Sequence, residues 1–180
     1  KRMPLQTRRH ELYFAAAGLT GLVLYYLCEN IALNFGDASI VGVAVSSAPL
    51  FAGLCGAVFL GERIHAGFLA GFAIALAGIG LISLGSGTAH IQPEGILLSI
   101  AAAAAWGIYS TLTRKIAEHG YPTLGATKRI FGYGVLMMAP IAVGNSFRFA
   151  ALRTAGAEEI ANLLFLGLGA SAVCFLTWNF

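Results

Sequence analysis

Glu29 is the one acidic or basic side chain well inside an apolar stretch, and Tyr25 and Tyr26 precede it by four and three positions. On a helix that spacing puts both rings on the side of the carboxyl group, with Asn30 beside the same face. A charge at bilayer depth costs roughly 3 kcal/mol on insertion scales, so Glu29 must face the interior of a helical bundle. Three roles fit it: carrying a coupling proton, binding a cationic group of a solute, or a structural hydrogen bond to another helix. Trp106, Tyr109 and Ser110 recur at a similar spacing further along, continuing to Thr113. Such an aromatic and hydroxyl face suits organic solutes with both apolar and polar parts. Tyr109 and Thr113 also fit an interfacial aromatic belt. Pro49 lacks an amide hydrogen and frees the carbonyl of Val45, which in a bilayer must face protein or a watery cavity. Ser46 and Ser47 lie within one turn of that break. Their hydroxyls either meet a ligand there or bond their own helix backbone.

The elements that hold these residues are six apolar stretches: Leu12–Phe35, Ala38–Leu60, Gly67–Gly85, Gly95–Thr113, Ile130–Val143 and Ile160–Phe180. Most reach the ~20 residues that cross a ~30 Å hydrocarbon layer, and the fifth does so if it begins near Tyr121. Charged residues make up 11% of the chain and hydrophobic ones 58%, against about 25% charged in soluble domains. A 180-residue soluble fold could not bury so many apolar faces. The fold class is all-α, a polytopic helical membrane protein with the lipid bilayer as its solvent.

Loop charge sets the orientation. Alternate loops carry nine and two Lys and Arg residues, and the richer set belongs in the cytoplasm. Residues 1–10 are then cytoplasmic, whereas Asp37 and His90 lie outside. The basic start abuts a hydrophobic span, so topology and lipid headgroups account for it without nucleic acid. Cys28, Cys55 and Cys174 all fall within spans and have no metal-ligand spacing. No metal or other cofactor is expected. His10, His65, His90 and His119 lie in loops or tails, so none stands ready as the base of a buried serine in an intramembrane enzyme. A channel would show a ring of charge or a filter-like carbonyl loop, and neither is apparent. Glu62 and Arg63 follow a span end at Gly61. They suit a cytoplasmic gate or, more simply, a capped turn with Arg63 anchoring topology. The small residues Gly67, Gly71, Ala77 and Gly78 suit close helix packing.

An internal echo links the two ends of the chain. Residues 169–180 can be laid on 20–31, matching Asn179 to Asn30 and Phe175 to Tyr26. The first segment runs outward and the second inward, and repeats of opposite orientation are common in secondary transporters. Through this echo Trp178 and Asn179 join the candidate site. Lys1 opens in a cytoplasmic loop and Phe180 inside an apolar helix, so the expectation is a piece of a longer protein with about ten helices in two halves of five. Leu84–Pro93 is the natural linker between halves.

Ala32–Ser39, Pro49-Leu-Phe, Phe59-Leu-Gly-Glu-Arg-Ile64, Gly71 and Ala77-Gly-Ile-Gly-Leu-Ile82 together resemble the EamA-type half of the drug/metabolite transporter superfamily. Trp106-Gly-Ile-Tyr109 with Arg114-Lys115 looks like the opening helix of a second such half, and Thr177-Trp178-Asn179 like its third helix. The resemblance implies ten helices in inverted five-helix repeats. Residues 1–88 would supply helices three to five of the first half, and 89–180 helices six to eight. It also implies a secondary transporter of small organic metabolites or drugs in a bacterial plasma membrane, export being the commoner direction. Intramembrane enzyme and structural or channel subunit stand as the alternatives. Glu29 departs from the family pattern, where that position is more often apolar or weakly polar.

Overall fold

The computed structural model describes residues 7–84, 92–144, 156–174 and 177. Among them the regular structure is helical, with no strand. Helix α1 (Arg8–Ala32) runs for 25 residues, and its hydrogen bonding widens to i→i+5 spacing over Leu19–Leu24. The widened turn contains Thr20, whose hydroxyl donates to the Ala16 carbonyl at 2.8 Å and so competes with the backbone ladder. It lies directly before the Tyr25–Asn30 face. Bulges of this kind often mark functional segments.

Helix α2 (Ala38–Leu60) is broken into Ala38–Val45 and Ala48–Leu60. Pro49 stands at the start of the second half, and Ser47 tightens the break by donating its N–H to Ala44 O at 3.1 Å. Gly61 ends the helix at φ 70°, and the Glu62 N–H closes the cap on Gly56 O at 3.2 Å. A left-handed residue there favours glycine. Helix α3 (Ala66–Leu84) has 19 residues, roughly 28 Å of rise, and lies against the first half of α2. Helix α4 (Pro93–Glu118) opens with proline, whose missing amide is harmless at a helix start.

Helix α5 (Thr123–Gly144) begins seven residues before the apolar stretch at Ile130, close to the Tyr121 start that a full-length span requires. The last described helix, α6 (Ala157–Leu164), continues as Phe165–Val173 with the wider spacing. Among the described residues, α1, α2 and α4 are long and apolar enough to cross a membrane.

Helix α4 is the centre of the assembly and packs along α1 and both halves of α2. One core joins Phe14, Leu22, Tyr109, Ile116, Tyr121 and Ile130 from α1, α4, α5 and the α4–α5 turn. A second joins Ala32, Val41, Val45 and Ala102. Small residues bring the backbones together. A Cβ on Gly107 would stand 2.7 Å from the Phe51 carbonyl carbon, and one on Gly18 2.8 Å from Ile130 O. Such approaches are how helices pack where lipid supplies no hydrophobic drive. Sequence spacing marks Gly67, Gly71 and Gly78 for that role, but no atom stands within 4 Å of a Cβ there. Leu12, Val58, Ile74, Leu81 and Val143 instead point outward, each at least 70% exposed, as lipid-facing side chains must.

Candidate solute-binding cavity

An open cavity of about 580 Å³ lies between α1, α4 and the Phe165–Val173 segment with Cys174 beyond it. Its wall includes Tyr25, Tyr26, Glu29 and Asn30 from α1 and Trp106 from α4. The i, i+3, i+4 relation that gathers the α1 residues is local, so a regular helical turn after the widened one suffices to place them. The Tyr25 ring bridges the two helices. Its centroid is 5.1 Å from that of Tyr26 and 5.1 Å from that of Trp106. Trp106 in turn lies 5.1 Å from Tyr109. The Tyr25 hydroxyl donates a long 3.4 Å bond to Glu29 Oε1. The Asn30 amide donates to Tyr26 O at 2.7 Å.

The other candidates separate from this wall. Tyr109 is fully buried, its ring seated against Gly21 where any Cβ would collide with it; it supports Trp106 from behind. Ser110 is buried too, and its hydroxyl has no hydrogen-bond partner among the described residues. Ser46 donates to Gly42 O at 2.7 Å and Ser47 to Ala44 O at 2.6 Å, so both hydroxyls are engaged by their own helix. Pro49 lines a different cavity of about 320 Å³, shared with Glu62, Arg63, His65, Phe68 and Arg114. Trp178 and Asn179 lie outside the described residues.

Ser171 and Cys174 also line the main cavity, and sequence reasoning passed over them. Tyr26 Oη and Ser171 Oγ stand 3.5 Å apart across it. The internal echo covers both residues, and positions 171, 174 and 178 have the i, i+3, i+7 spacing of one helical face. Among the described residues no group of three or more metal-ligating side chains occurs.

The opposite end of the bundle is charged and tied together. Arg129 donates to Glu11 through Nε at 2.8 Å and Nη2 at 2.5 Å, and the Tyr133 hydroxyl donates to the same carboxylate. Glu62 accepts from Arg114 Nη1 at 2.5 Å, so this glutamate does more than cap its turn. His10 Nδ1 is hydrogen-bonded to the Tyr121 hydroxyl at 2.8 Å, and its ring meets His119 edge-on at 4.2 Å. These contacts hold Arg114 and Arg129 at one end, where Arg63 shares a cavity wall with Arg114. The other end is marked by the Gln92 N–H donating to Phe35 O at 2.8 Å.

Fold and cavity thus define a polytopic helical membrane protein with a polar and aromatic face lining an open cavity. Residues 1–84 match the EamA-like transporter family. The chain is 29% identical over 170 residues to a probable terminal-alkyne amino-acid exporter of Streptantibioticus cattleyicolor, covering 92% of this chain and 54% of that protein. It is 28% identical over 171 residues to a probable amino-acid metabolite efflux pump of Escherichia coli, covering 90% and 56%. To an aromatic amino acid exporter, YddG, of Ancylobacter novellus it is 27% identical over 166 residues, covering 90% and 55%. No solved structure matches the chain. The chain is thus similar to EamA-type transporters, the family match covering residues 1–84 of its 180. It spans about half the length of the curated relatives it matches.

Proposed function

We propose that this protein is a secondary transporter that exports small organic metabolites by alternating access, with the cavity between α1, α4 and α6's continuation as its solute site. One observation carries the reading: a carboxylate, an amide and three aromatic rings line a space of about 580 Å³, within the 300–1,000 Å³ of typical small-molecule sites. Relatives named as exporters of amino acids and their metabolites support that solute size and the outward direction. Transport would draw on an ion gradient or on exchange, since the sequence carries no nucleotide-binding motif; a proton taken up by Glu29 is the simplest coupling. No residue is assigned a catalytic role.

Reconstitution tests the proposal. Proteoliposomes containing the protein should show saturable flux of an aromatic amino acid or amine, and Trp106→Ala should lower its kcat/KM at least about tenfold through lost ring contact. Flux that is unchanged in a folded Trp106→Ala protein would place the solute path elsewhere.

A further inference from the structure

Glu29 is set apart from the other structurally engaged acids of the bundle. Glu11 is held by Arg129, and Glu62 by Arg114, both at the charged end. Among the described residues that line the cavity around Glu29 there is no Lys, Arg or His. Its one described hydrogen bond comes from the Tyr25 hydroxyl at 3.4 Å, near the outer limit for such a bond. Acceptor sites of the carboxylate therefore remain for a cationic donor, which the described wall does not supply.

The rings beside it define that donor. Tyr25, Tyr26 and Trp106 form a continuous aromatic wall with successive centroids 5.1 Å apart. The faces of such rings attract cations, and the attraction grows as water is excluded. A carboxylate next to aromatic faces suits an ammonium group: N–H donors turn to the carboxylate while the C–H-bearing side lies on the rings. A carboxylate or phosphate in the same place would meet repulsion from Glu29. A neutral hydroxyl would gain only an ordinary hydrogen bond.

We infer that Glu29, with the Tyr25, Tyr26 and Trp106 rings, forms a subsite for an organic ammonium group, so that the cavity prefers amine-bearing amphipathic solutes to neutral or anionic ones of equal size. This rests on the reading of the cavity as the solute site and adds the chemistry of what it selects. The neighbouring donors and acceptors, Asn30 and Ser171, lie where the remainder of such a solute would reach.

Three probes of similar shape separate the possibilities: phenethylamine, 2-phenylethanol and 3-phenylpropionate, titrated calorimetrically into the purified protein in lipid nanodiscs. Phenethylamine should bind at least about tenfold more tightly than 2-phenylethanol, the gain of a charge-assisted hydrogen bond, and 3-phenylpropionate should be the weakest. Glu29→Gln should bring phenethylamine down to the level of the alcohol while leaving the alcohol within about threefold of its original affinity. Glu29→Asp should retain part of the preference. Equal binding of amine and alcohol to the unaltered protein, or a preference that survives Glu29→Gln, overturns the subsite. If Trp106→Ala abolishes that equal binding, the cavity reading stands without its selectivity. Failure of all three probes to bind sinks both.

Discussion

At the scale of single residues, the two ion pairs at the charged end look alike but are not equivalent. Glu62 and Arg114 are about half exposed, with side-chain accessibilities of 46% and 49%, and touch through one nitrogen. Exposed pairs of this sort contribute under about 1 kcal/mol, because solvent screens the attraction and two long side chains lose freedom. Glu11 and Arg129 are more enclosed, at 27% and 32%, and meet through two nitrogens with Tyr133 as a third partner. Planar two-point contact restrains both groups at once. Arg129→Met should therefore lower stability in detergent by about 1–3 kcal/mol, and Arg114→Met by less than about 1 kcal/mol. Thermal unfolding of both variants checks the order; equal shifts would show that bidentate geometry adds nothing here. Neither partner of the Glu11–Arg129 contact was visible from sequence, since 118 positions separate them. The Tyr25, Tyr26, Glu29 and Asn30 group was visible, because its arrangement needs only one helical turn.

At the scale of helices, the sequence located most boundaries and missed what tertiary contact decides. The second span was expected at Ala38–Leu60 and is found there. Hydropathy places the fifth at Ile130, yet α5 starts at Thr123 and carries Lys128 and Arg129 within its helix. Arg129 is accommodated because Glu11 on α1 receives it. Ser46 and Ser47 illustrate the opposite case: hydroxyls beside a proline break can turn to a ligand, but carbonyls one turn back are nearer and take both. Glycine spacing was equally ambiguous. The GxxxG-like run on α3 has open space around it, whereas Gly18 and Gly107 lie at real crossings. Gly107→Ala should accordingly push α4 from α2 and cost about 1–3 kcal/mol as an overpacked contact. Gly71→Ala should instead stabilise α3 by up to about 1 kcal/mol through helix propensity. Denaturation of the two variants in matched detergent distinguishes them, and a neutral Gly107→Ala would mean that α2 and α4 adjust freely.

At the scale of the whole molecule, the bundle has two chemically distinct ends, and the cavity beside Glu29 belongs to one of them. Tyr25, Tyr26, Glu29 and Asn30 lie in the second half of α1, the half that ends near Gln92, while the Glu11–Arg129 and Glu62–Arg114 pairs tie the start of α1 to α5 and the end of α4 to the α2–α3 turn. A basic end is retained on the cytoplasmic side of a membrane. The charged end is drawn together by Glu11–Arg129, Glu62–Arg114 and the His10–Tyr121–His119 cluster, while the cavity beside Glu29 is lined by the later half of α1. The orientation is testable in cells after Cys28, Cys55 and Cys174, the free cysteines within the bundle, are replaced by alanine. A cysteine at Asp37, between α1 and α2, should react with an impermeant thiol reagent added to intact cells. One at His65, in the α2–α3 turn beside Arg63, should react only after permeabilisation. Reversed labelling would invert the membrane orientation and with it the side on which the Glu29 cavity opens.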